Sequence, residues 1–178
     1  MTPLLESYRA DVLPRLMEQR GYGNLLQVPR LQKITVSTGV STEKDREVFD
    51  EAVRVLGEIT GQRPVIAKAR RSVAGFKLRE GQNVGVHLTL RGHRMYDFFY
   101  RLVNVALPRV RDFRGLPAKS FDGFGNYSLG LVDQTVFTEI NLDKMRNTIG
   151  MNVTIVTSAQ TNEEGFDLLS LLGMPFEK

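Results

Sequence analysis

Polar and apolar residues alternate in two stretches of the chain and recur at helical spacing in four others. Leu4, Leu5, Tyr8, Val12 and Leu16 predict a first helix that opens at Thr2 and Pro3, bends at Pro14 and stops at Gly21. Residues 32–39, QKITVSTG, set Ile34 and Val36 on one side and Lys33, Thr35 and Ser37 on the other, as a half-buried strand does. From Glu43, the stripe Val48, Phe49, Ala52, Val53, Leu56 and Ile59 predicts a helix with an acidic back, closed by Gly61. A short strand, VIAKA at 65–69, leads through RRSVAGFKLREG (70–81) to NVGVHLTLR (83–91), where Val84, Val86, Leu88 and Leu90 alternate with polar residues. The segment between the two strands is therefore a hairpin tip.

Met95, Phe99, Leu102, Val103 and Ala106 mark another helix, ended by Pro108, and Phe98, Phe99 and Tyr100 are expected in the core. Residues 109–133 are turn-rich and read as an ordered excursion anchored by Phe113, Phe121, Phe124 and Tyr127. Short strands are expected at 136–140 and 151–157. Thr161 and Glu164 form a capping box for a last helix carrying Phe166, Leu168, Leu169, Leu171 and Leu172, stopped by Gly173 and Pro175. The fold class is α+β: a mainly antiparallel sheet, helices packed on one face, and a long basic hairpin. Strands with one apolar side must hide it beneath the helix stripes. The other side is then an open polar face bearing Lys33, Thr35, Ser37, His87, Thr89 and Arg91, and extending to Asn152 and Thr154.

A chain of 178 residues, 42% of them hydrophobic, suffices for one ordinary core, so 1–178 is read as a single domain. With no cysteine there is no disulfide, thiol nucleophile or cysteine-based metal site, which agrees with a reducing cytosolic setting. The first residues lack the charge and apolar pattern of a secretory signal, and no apolar run reaches the ~18 residues of a membrane span. A soluble, cytoplasmic protein without membrane contact is expected. Charge alters the picture more. Residues 63–119 hold thirteen Lys or Arg against three acids, a surplus of ten, whereas the whole chain carries only +4. Interleaved with Phe76, Tyr96, Phe113, Phe121, Phe124 and Tyr127, this block can neutralise phosphates and offer stacking surfaces.

Catalytic readings fare poorly. His87 and His93 have no metal-binding spacing, and His87 on a solvated strand suits an RNA donor better than a base. FDGFGNYSLG approaches a phosphate loop, but Ser128 stands at the third glycine of GxGxxG and no Lys-Ser/Thr pair follows. The pairs Glu163/Glu164 and Asp50/Glu51 fall on outer helix faces, where charge is expected to serve solvation. The rivals to a specific RNA binder are a nucleotide enzyme using the DGFGN loop and a nucleic-acid chaperone without shape preference.

GQRP (61–64), AGFKLREG (74–81), LTLRG (88–92), RMYDFFYRL (94–102), LPRVRDFRG (107–115) and SFDGFGNYSLG (120–130), in this order, closely resemble the family of bacterial-type large-subunit ribosomal protein number five, the 5S rRNA-binding ribosomal proteins. The likeness covers almost the whole chain, from SYRADVLPRLM to the final LLGMPF. It implies a non-catalytic protein without cofactor or metal. Such a protein binds 5S rRNA, helps fix it in the central protuberance of the large subunit, and touches large-subunit rRNA and other central-protuberance proteins.

By position, the resemblance implies that Lys33, Ser37, Gln62, Arg63 and Thr89 contact 5S rRNA, and the strand pattern adds Lys68, His87 and Arg91. The hairpin, with Ser72, Ala74, Gly75, Phe76, Lys77 and Arg79, matches the loop that reaches the elbow of peptidyl-site tRNA. Arg109, Arg111 and Arg114 resemble the region facing large-subunit rRNA or the small-subunit head protein number thirteen. Two departures stand out. Ser37 and Thr38 replace the family's usual asparagine and methionine, which implies a shorter or water-bridged RNA contact at Ser37, and Thr138 stands where proline is usual.

Overall fold

The computed structural model describes residues 3–40, 46–141 and 145–177. The expected helix starts at Thr2 and Glu43 lie outside the described residues. The first helix is α1 (Pro3–Ser7), a π-helical turn Tyr8–Val12 and α2 (Leu13–Arg20), ended by Gly21 at φ +66°. Pro14 explains the wide turn: it has no N–H, and its ring crowds the carbonyl four residues earlier, which a π-turn relieves without ending the helix. Pro108 does the same after α4 (Gly92–Arg101), which widens at Leu102–Ala106 and closes as a 3-10 turn, Leu107–Arg109. The remaining helices are α3 (Arg46–Thr60) and α5 (Asn162–Leu171).

Five strands, β1 (Leu31–Gly39), β2 (Val65–Lys68), β3 (Asn83–Leu90), β4 (Tyr127–Leu131) and β5 (Met151–Thr157), form one sheet in the order β2-β3-β1-β5-β4. β2 and β3 pair antiparallel. So do β1 and β5, since Arg30 meets Ser158 whereas Thr38 meets Gly150, and β5 and β4, where Thr154 meets Ser128 and Asn152 meets Gly130. Among the described residues, 136–140 is not a strand. Asp133 Oδ1 caps a 3-10 turn, Gln134–Val136, and the buried Gln134 amide donates to Asn147 O (2.7 Å) and accepts from Ile149 N (2.5 Å). Side chains thus meet the backbone's needs there instead of a ladder. The strand inside the excursion, β4, is an addition: Tyr127, Leu129 and Leu131 are buried while Ser128 and Gly130 face out, an alternation legible in YSLGL.

The residues fall into two compact units. The first comprises Met1–Ile34, Leu90–Leu129 and Thr154–Lys178, and the second Thr35–Thr89 and Gly130–Val153, so β1, β3, β4 and β5 contribute residues to both. The first unit buries Leu16, Ile34, Met95, Phe98, Phe99, Leu102, Tyr127 and Ile155. It also packs Phe121, Tyr127, Phe166 and Phe176 with ring centroids 4.6–6.5 Å apart. Two expected core aromatics are not there: Tyr100 is 45% exposed and Phe124 72%. Tyr100 sits on the solvent side of α4, one residue past the buried Phe98–Phe99 pair, and Phe124 is the outward tip of a turn. The second unit buries Val36, Val48, Phe49, Leu56, Ile59, Val86, Leu88 and Val153. Val55 rather than Val53 completes the α3 stripe, because 48, 52, 55 and 59 keep one side of a helix.

Two carboxylates expected to serve only solvation fasten the fold. Glu51 accepts from Arg146 N and from Asn147 Nδ2, both at 2.9 Å, and Glu164 accepts from Gln160 N and from the Tyr22 hydroxyl, both at 2.9 Å. Thr161 Oγ1 caps Glu164 N at 3.3 Å, the expected half of the capping box, while the Glu164 carboxylate reaches back to Gln160. In Glu51, Asp122 and Glu164 alike burial pushes the carboxyl up, but the hydrogen bonds each accepts outweigh it and hold it below the ordinary range. A lowered folded-state pKa adds stability above the unfolded value, near 4.3 for glutamate, that is lost as pH falls through the folded value. Thermal unfolding followed by circular dichroism is therefore expected to show a midpoint that drops below about pH 4.3. The drop should be smaller in a Glu51→Gln/Glu164→Gln variant, and an unchanged drop would contradict these roles.

Candidate nucleic-acid interface

The polar side of the sheet begins with β1, where Lys33, Thr35 and Ser37 stand half-buried between buried Ile34, Val36 and Thr38. Thr38, one of the two departures, turns inward and gives its hydroxyl to Gly150 O at 2.6 Å, while Ser37 keeps the outward place. On the neighbouring β3, exposed His87 and half-buried Thr89 alternate with buried Val86, Leu88 and Leu90. Gly85 lets the strands close up: a Cβ there would lie 2.6 Å from Thr38 O. The second unit thus gathers Thr35, Ser37, His87 and Thr89 on adjacent strands. Lys33 precedes Ser37 by two strand repeats, within the first unit's share of β1, and Arg91 is exposed at the N-cap of α4. At the far end, Thr154 Oγ1 pairs with Ser128 Oγ at 3.1 Å and Asn152 is exposed.

The GQRP turn is braced against this face. Gln62 Nε2 donates to Thr89 O at 3.3 Å and Gln62 N to Thr60 Oγ1 at 3.4 Å, so Gln62 has a holding role and presents Arg63, the next residue, to solvent. Opposite β3 runs β2 at the sheet edge, with Val65 facing His87, Ile66 facing Val86 and Ala67 facing Gly85. A register shift after Ala67 then sets exposed Lys68 opposite Asn83. Sequence reasoning missed Val65, 59% exposed, because apolar residues in a strand read as core. Its position on an edge strand is the signal that could have found it.

The hairpin is ordered through its backbone. Ala69 and Gln82 pair at its base, Val73 and Leu78 exchange two hydrogen bonds near the tip (2.9 and 3.1 Å), and residues Ala74–Phe76 form a 3-10 turn ended by Lys77 at φ +50°. Ser72 Oγ accepts from Glu80 N at 2.9 Å, so Ser72 braces the loop that it was expected to help contact tRNA. Ala74, Gly75, Lys77 and Arg79 are exposed, and Phe76 projects with 79% of its surface free.

Positive charge is concentrated in this stretch of the chain. The ion pairs Arg20 with Asp167 (2.6 Å) and Glu163 (3.5 Å), Arg54 with Glu58 (3.9 Å) and Arg146 with Glu47 (3.1 Å) all involve cations outside residues 63–119. Within that block, Arg63, Lys68, Arg70, Arg71, Arg79, Arg91, Arg94, Arg109, Arg111, Arg114 and Lys119 make no ion pair among the described residues. Arg109, Arg111 and Arg114 are exposed, on and just after the 3-10 turn that ends the α4 segment. Uncompensated cations repel one another and favour an anionic partner.

The loop that resembles a phosphate cradle is already filled by the protein. Asp122 Oδ1 accepts from Phe124 N (2.9 Å) and Asn126 N (3.1 Å), and Asn162 Oδ1 accepts from Gly123 N (2.9 Å) and Gly125 N (3.3 Å). Donors so engaged have nothing to offer a phosphate, which removes the physical basis of the nucleotide-enzyme reading. Asn162 went unnoticed in the sequence, since the loop and the helix that holds it are far apart in the chain. Among the described residues, no group of His, Asp and Glu is placed to hold a metal ion, and no helix is long and apolar enough to cross a membrane.

Comparisons with known proteins bear on the same segments. Residues 24–79 match the family model described as ribosomal protein L5, and residues 83–176 match the one described as the ribosomal L5P family C-terminus. Among curated proteins, the chain is 49% identical over 179 residues to the large ribosomal subunit protein uL5 of Halothermothrix orenii, covering all of both chains. It is 51% identical over 99% of both chains to that of Natranaerobius thermophilus. To that of Carboxydothermus hydrogenoformans it is 52% identical over the whole of both.

Proposed function

Because the chain belongs to the ribosomal protein L5 family, which places it in the large ribosomal subunit and not among enzymes, we propose that it binds 5S rRNA and helps hold it in the central protuberance. It does so as one RNA-binding domain spanning residues 1–178. The observation that carries this reading is the run of exposed cations within residues 63–119, Arg63 and Lys68 at the β2 edge among them, that make no ion pair among the described residues. Phosphates supply the missing charge. Short polar groups such as Ser37, His87 and Thr89 reach 2′-hydroxyls and base edges without needing a pocket.

The reading divides the labour. Lys33, Ser37, Gln62, Arg63, Lys68, His87, Thr89 and Arg91 serve 5S rRNA. The hairpin residues Ser72, Ala74, Gly75, Phe76, Lys77 and Arg79 serve peptidyl-site tRNA, with Phe76 as an apolar tip on a pre-ordered turn. Arg109, Arg111 and Arg114 face large-subunit rRNA or the small-subunit head protein number thirteen. A pair of binding titrations tests the division: Lys77→Ala/Arg79→Ala is expected to weaken crosslinking of the subunit-bound protein to tRNA while leaving 5S affinity unchanged. An equal loss of both would contradict it.

A further inference from the structure

On the reading that the sheet face takes 5S rRNA, we infer that the His87–Val65 cross-strand pair is a stacking platform for an unpaired nucleotide, so this part of the face takes looped or bulged RNA and not continuous duplex. His87 and Val65 are direct antiparallel partners and therefore share one face. His87 is exposed and Val65 stands 59% free on it, although a valine at a purely phosphate-binding surface would gain nothing from its partner. An imidazole flanked by an aliphatic side chain offers a flat, part-apolar floor of the kind on which splayed bases stack.

The surroundings favour the same occupant. β2 is the edge strand, so no further strand overhangs the pair among the described residues. Arg63, unpaired and exposed, precedes Val65 by two residues, and Thr89, pinned by Gln62, follows His87 by two. A backbone cation and a hydroxyl thus flank the platform, as a single extruded nucleotide requires. On the interior side Gly85 lies against Thr38 O, which bounds the platform.

The chain has no tryptophan, so His87→Trp installs a sole indole reporter at the platform. Its fluorescence is expected to be quenched on adding 5S rRNA and to stay unchanged with a perfectly paired RNA duplex bound at low salt. In parallel, His87→Ala should weaken 5S binding about 5-fold without altering the salt slope, His87→Phe should restore it, and His87→Lys should not. Restoration by lysine and not phenylalanine, or an unquenched indole in a bound complex, would overturn the platform while leaving 5S binding itself standing. Failure of the unaltered chain to bind 5S rRNA would instead overturn the reading beneath it.

Discussion

Gly125→Ala is expected to unfold about 6–12 °C below the unaltered chain, taking ~3 kcal/mol of destabilisation at 2–4 °C per kcal/mol for a chain of this size. Two effects add. Gly125 sits at φ +74°, where an L side chain costs about 1–2 kcal/mol, and its new Cβ would lie 2.6 Å from Ala159 Cβ and 2.8 Å from Thr161 O. Forcing such overlap in a packed region costs about 1–3 kcal/mol more. The neighbour Gly123 separates the two, because it has φ +97° but nothing within 4 Å of its Cβ position. Gly123→Ala should therefore lose only the strain, roughly a third to two thirds as much. Equal losses in the two variants, read by thermal circular dichroism, would contradict the close packing of the DGFGN loop on the start of α5.

Removing three cations of the proposed 5S face has the larger functional consequence. Lys33→Ala/Arg63→Ala/Arg91→Ala is expected to bind 5S rRNA about 100-fold more weakly near 0.15 M salt, since each phosphate contact contributes a log-log salt slope of ~0.8 and hence about 5-fold at that concentration. The slope should fall by roughly 2 to 3. The fold should survive, because Arg63 and Arg91 are exposed and make no ion pair, and Lys33 is only half-buried. A large affinity loss with an unchanged slope would mean that these side chains do not neutralise phosphate.

Much of this arrangement was legible in the sequence where one physical rhythm dominates. The alternation of 32–39 and 83–91 gave two strands and their polar sides, Pro14 announced a bend that became a π-turn, and Pro108 marked the end of the helical segment, which closes at Leu107–Arg109. Legibility failed where side chains far apart in sequence replace the ladder. Gln134 holds 147–149 and Glu51 holds 146–147, so a segment with strand-like Val136 and Phe137 folds as a turn, and a carboxylate that looked solvated acts as a clasp. Phe124 and Val65 misled for a related reason: apolar character predicts burial on average but does not reveal a loop tip or a sheet edge. For the interface, charge clustering marked residues 63–119 as the candidate block, and the structure adds that Gln62, just before it, and Ser72, within it, also brace their own turns.

Binding of 5S rRNA is tested most directly by a filter-binding titration of the purified chain with 5S rRNA at two salt concentrations, with tRNA and duplex DNA as competitors. Tight binding that weakens with salt yet survives excess competitor is the predicted result. Equal affinity for all three nucleic acids, or binding indifferent to salt, would contradict it.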